Sequence, residues 1–80
     1  MDKDQAIRIR GAFAAPAYLE YASPDGGAYG WSKNPRYATY WTAAEAATVA
    51  EKAREYYARD NSVIDILSLD DMAITAVLES

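Results

Sequence analysis

The chain of 80 residues carries eight basic and twelve acidic side chains, a formal net charge of −4, and neither His nor Cys. Without imidazole or thiol it cannot assemble a Ser-His or Cys-His nucleophile, a disulfide framework or a thiolate zinc site, so a non-enzymatic protein with no cofactor is expected. A single domain spanning residues 1–80 buries only about 60% of the surface that its unfolded chain exposes, and Tyr and Trp must fill volume that scarce Leu and Ile leave open.

No segment approaches the roughly 20 apolar residues that span a bilayer. Met1-Asp2-Lys3-Asp4 is acidic rather than the basic start of a signal peptide, so a soluble, cytoplasmic protein is expected.

Gln5 to Phe13 alternates, with Ile7, Ile9 and Phe13 on one face and Arg8 and Arg10 on the other, the pattern of a half-buried strand. Gly11 marks a bulge within it. Pro16 interrupts, and Ala17 to Ala22 resumes as a second strand. Ser23-Pro24-Asp25-Gly26-Gly27 is a turn in which Pro presets φ, Asp bonds its own backbone and the glycines accept positive φ. A hairpin to a third strand, Ala28 to Ser32, follows.

Lys33-Asn34-Pro35-Arg36 ends that strand, because Pro35 biases Asn34 away from helical geometry and has no N–H to donate. Tyr37 to Trp41 is either a short strand or an irregular approach to a helix. Thr42-Ala43-Ala44-Glu45 is a capping box that starts this helix firmly. From Ala43 to about Ala58, Ala46, Val49, Ala50, Ala53 and Tyr57 form one apolar stripe, and its small residues predict close packing on a sheet. Glu55 and Arg59 fall at i and i+4. Asp60-Asn61 ends the helix, Asn61 being suited to a left-handed cap.

Val63-Ile64-Asp65-Ile66-Leu67 reads as a strand buried except at Asp65. Ser68-Leu69-Asp70-Asp71 repeats the capping logic and can start a short helix through Leu78. A strand with Ile74, Ala76 and Leu78 opposite Thr75, Val77 and Glu79 fits nearly as well. The predicted fold class is α+β: a small antiparallel sheet of three to four strands with one main helix across it, ββ(β)αβ, and a short C-terminal helix as an option.

Motifs for catalysis are missing. The glycines at 26, 27 and 30 lack the spacing and the Lys-Ser/Thr ending of a phosphate loop. Asp60 to Asp71 has the length of a calcium loop but lacks its turn Gly and its bidentate Glu. Asp65, Asp70 and Asp71 could gather around Mg²⁺, yet Asp70 and Asp71 are better explained by the first turn of a helix, so no metal is expected.

From Asp60 onward the chain has five acidic residues, Asp60, Asp65, Asp70, Asp71 and Glu79, and no Lys or Arg. That asymmetry disfavours phosphate and suits a basic protein surface. The residues expected to bind a partner are these carboxylates together with Tyr29, Trp31, Tyr37 and Tyr40, since exposed Tyr and Trp often anchor interfaces. Trp41 belongs to the same aromatic group. Two alternatives are a nucleic-acid-binding module using Arg8, Arg10, Lys33 and Arg36 around Tyr and Trp platforms, and a homodimer paired through a sheet edge.

At Trp31-Ser32-Lys33-Asn34, Ala38-Thr39-Tyr40-Trp41 and Thr42-Ala43-Ala44-Glu45-Ala46 the chain resembles short phage and prophage accessory proteins of β-hairpin–helix–strand type. The resemblance covers the middle of the chain; Trp41 stands where Phe is more usual, and the acidic C-terminal segment has no counterpart. It implies a phage setting and a host bacterial cytoplasm. Proteins of this setting include anti-CRISPR inhibitors, which are small and non-enzymatic and occupy a surface on a bacterial effector complex, some by imitating the charge of DNA. The function this implies is an inhibitor or adaptor that blocks a nucleic-acid-binding surface.

Overall fold

The computed structural model describes residues 2–25 and 27–78. In chain order they form β1 (Gln5–Arg10), β2 (Ala17–Ala22), β3 (Tyr29–Ser32), a 3₁₀ turn (Pro35–Tyr37), α1 (Ala43–Tyr56), β4 (Val63–Ser68) and α2 (Leu69–Leu78). The four strands make one antiparallel sheet in the order β3-β2-β1-β4. The fold is therefore α+β, with the main helix on the sheet and a short helix at the C-terminal end.

Strand alternation gives each face of the sheet its own core. Ile7 and Ile9 of β1, Ala17 and Leu19 of β2 and Ile64 of β4 meet Ala50 and Ala53 of α1 on the front face. On the back, Ala6, Tyr18 and Leu67 meet Met72 of α2, with Ala38 and Tyr40 packed alongside. The small-residue stripe of α1 behaves as its spacing requires: Ala46, Ala50 and Ala53 are fully buried. With only methyl groups on this side of the helix, its backbone sits directly on the Ile7, Ile9, Leu19 and Ile64 side chains of the sheet.

The capping box is formed as predicted. The Glu45 N–H donates to the Thr42 hydroxyl and the Thr42 N–H to the Glu45 carboxylate, each at 3.1 Å. These bonds hold the Glu45 carboxyl below the usual carboxylate range.

Four details depart from the sequence reading. β1 stops at Arg10, so Gly11, at φ +92°, closes the strand rather than bulging it. Phe13 then lies outside the strand and is exposed. α1 ends at Tyr56, which leaves Arg59 in the following turn and outside any helical pairing with Glu55. Asn61 does take the left-handed region, at φ 52°, but in the turn that feeds β4. β4 is less buried than its apolar run suggests, with Val63 and Ile66 exposed because it is an edge strand.

The segment left open between strand and irregular approach is a wedge. Trp41 and Gln5 exchange backbone bonds, 3.0 and 2.7 Å, while the Thr39 N–H donates to the Leu19 carbonyl at 2.9 Å. Continued pairing of β1 with β2 would have set Leu19 opposite Ile7. The two strands splay instead, and Thr39 to Trp41 fills the gap.

The outer edge of β4 is covered at its two ends. Gln5 turns its N–H and C=O toward Trp41, so by alternation Ala6, Arg8 and Arg10 face β4, and the backbone groups of Ile64, Ile66 and Ser68 face outward. Arg54 of α1 reaches the Ile64 carbonyl at 3.0 Å, and the Ser68 N–H donates to the Asp71 carboxylate at 3.4 Å. Charged side chains on an edge hinder its pairing with another chain.

Candidate interaction surface

The aromatic residues that stand together in the sequence are parted by the sheet. Tyr29 and Trp31, two positions apart on β3, point to the front, where they meet Tyr56 and Tyr57 at the end of α1. Ring centroids lie 4.8 to 6.5 Å apart, mostly edge to face, as aromatic quadrupoles favour. The Trp31 Nε1–H donates to the Tyr57 hydroxyl at 2.8 Å. These half-buried rings tie the hairpin to the helix, which is a packing role. Among the described residues the buried Tyr29 hydroxyl has no partner, and desolvation, followed by the fields of Tyr57 and Tyr56, raises its pKa.

Trp41 also packs on the front core, its buried Nε1 without a partner among the described residues. Trp41, Tyr29, Val49 and Lys52 help to line a cleft of about 190 Å³ between hairpin and helix. Tyr40 goes to the back core. Tyr37, on the 3₁₀ turn, is 62% exposed.

The predicted acidic set does not gather. Asp65 stands opposite Arg8 across the back of the sheet and accepts from Arg8 Nη2 at 3.1 Å and Arg10 Nε at 2.8 Å. Its charge is neutralised within the fold. The same contacts engage Arg8 and Arg10, two of the three arginines of the alternative nucleic-acid module, and Tyr18, opposite Arg8 on β2, is fully buried. Asp70 and Asp71 occupy the first turn of α2, where the Asp71 N–H also donates to the Ser68 hydroxyl at 3.2 Å, closing a small capping box. Asp60 is exposed in the turn after α1. Glu79 lies outside the described residues. Among the described residues no three acidic side chains form a group able to hold a metal ion, and no helix is long and apolar enough to cross a membrane.

What the sequence reading did not single out is the outer side of α2. Met72 turns inward and is 2% exposed, whereas Ile74, Val77 and Leu78 are 59%, 73% and 78% exposed and Leu69 is 51% exposed. At 100° per residue, positions 74, 77 and 78 fall together on the side away from Met72. The 3₁₀ turn packs beside this helix, which brings the exposed Tyr37 to the same part of the back surface. The signal was present in the spacing 74, 77, 78, but a strand reading of the same residues divides them between two faces. Compared with known proteins, the chain matches no family model, no curated protein and no solved structure.

Proposed function

We propose that the chain is a non-enzymatic inhibitor or adaptor of the phage type that works by binding another protein, with the outer side of α2 and Tyr37 as its anchor. The exposed apolar side chains Ile74, Val77 and Leu78 carry this reading, because a helix face of such composition is ordinarily covered by a partner. Asp70 and Asp71, exposed at the start of the same helix, supply a negative rim that steers the approach of a basic surface. Within this reading the partner is a bacterial complex, and an anti-CRISPR role that covers a nucleic-acid-binding surface is the specific form it takes.

The experiment is affinity capture from a bacterial lysate with immobilised native chain and with an Ile74→Asp, Val77→Asp double variant. The native chain retains a defined partner, and the variant, folded by circular dichroism, loses it by at least about tenfold, as expected when anchors at the centre of an interface are removed. Equal retention by both would refute the assignment of this surface. Asp70→Asn with Asp71→Asn should slow association and weaken its dependence on salt without abolishing binding.

A further inference from the structure

The two edges of the sheet are treated differently. β4 is covered at its two ends, by Arg54 on the Ile64 carbonyl and by the Ser68–Asp71 cap, whereas among the described residues β3 has no such cover. The Ser23 N–H donates to the Ala28 carbonyl at 2.9 Å, which sets the pairing phase of the hairpin: Ala28, Gly30 and Ser32 face β2, and the N–H and C=O groups of Tyr29 and Trp31 face outward. Among the described residues nothing bonds those four groups.

We propose that the β3 edge pairs with the β3 edge of a second copy of this chain, antiparallel about a two-fold axis at Gly30, to give a continuous eight-stranded sheet. Three observations converge on a second copy. Outward groups at Tyr29 and Trp31 are symmetric about Gly30, so Tyr29 of each copy meets Trp31 of the other and four backbone hydrogen bonds form. The strand Tyr29–Ser32 holds no charged side chain, so nothing repels across the axis. Charges flank it with opposite sign: in this register Lys33 of one copy faces Gly27 of the other, two positions from Asp25, and the arrangement repeats by symmetry. Gly30 would sit at the point of closest approach between the two backbones, and the Tyr29 and Trp31 rings of both copies would share the front face.

Light scattering and amide hydrogen exchange across a dilution series test the pairing on the native chain. The mass should pass from that of a dimer toward 8.8 kDa on dilution, and the Tyr29 and Trp31 amides should be protected in the concentrated sample and lose that protection in the dilute one, while the Ile66 amide does not change. Gly30→Glu sets two carboxylates directly opposite each other and should raise the dissociation constant by at least about tenfold. The monomer should tolerate it, because a Cβ at Gly30 would meet Tyr21 Cβ at 3.5 Å and Tyr21 N at 3.9 Å, both ordinary contacts. Lys33→Glu should weaken the dimer, most clearly at low salt. A mass of 8.8 kDa at every concentration overturns the proposal. So does a dimer in which the Tyr29 and Trp31 amides exchange as freely as in the dilute sample, and so does protection that appears only when a different protein is added.

Discussion

Single side chains in this protein hold more than one junction each. Glu45 caps α1 most strongly while ionised, and its carboxyl lies below the usual range because the Thr42 backbone and side chain favour the charged form. A depressed folded-state pKa stabilises the fold above the normal carboxylate range and ceases to do so as pH falls through the lowered value. Asp25 follows the same rule in the hairpin turn, through the Ser23 hydroxyl and the Gly27 N–H. Glu45→Gln should therefore flatten part of the acid limb of a urea midpoint plotted against pH, and Asp25→Asn another part; an unchanged limb in both would show that these bonds do not govern it.

Asp65 makes a different case, since the sequence points to it as a steering charge and the fold places it between two guanidiniums. Asp65→Asn should lower stability by roughly 1–2 kcal/mol, between the effects of exposed and buried ion pairs, because Arg8 is only 21% exposed in its side chain. Denaturant titration reads it. The pairing was not legible beforehand: it joins residues 57 positions apart, through a register that no local pattern declares.

At the scale of elements, legibility followed the range of the forces involved. The capping box, the Ala stripe and the Asp25 bonds of the hairpin turn act within a few residues and appeared where their spacing puts them, although Gly27 does not take the positive φ expected of it and Gly26 lies outside the described residues. The wedge of Thr39 to Trp41 could not be read, because its partners Leu19 and Gln5 come from two other strands. The nature of α2 was ambiguous for a related reason. Its alternation fits a strand, and only the Ser68–Asp71 cap together with docking of Met72 selects the helix.

Edge protection belongs to this scale too. Arg54→Ala should leave the helix intact but uncover the Ile64 carbonyl, and heated samples should scatter light at lower temperature than the native chain does. No change in aggregation would mean that Arg54 does not guard the edge.

The whole molecule spans 33 × 30 × 15 Å, a sheet with a thin core on each side. Because β1 supplies Ile7 and Ile9 to the front and Ala6 to the back, neither core can be lost without loosening the strand that both share. Met72→Ala on the back face should cost roughly 2–5 kcal/mol. It should shift the fluorescence transition of Trp31 and Trp41, which report from the front face, by as much as it shifts the circular dichroism transition. Separate midpoints would reveal two independent halves.

The splayed hairpin has a consequence for the rate of folding. β1, one of the two inner strands, pairs with β2 at Arg8 and Ile9, while Gln5 waits for Trp41 and the other flank for Val63 to Ser68. Contacts that distant in sequence form slowly, since the loop between them must be closed before they reward it. Closure of that loop should therefore limit the folding rate, and the amides of β1 and β4 should gain protection together, after those of α1.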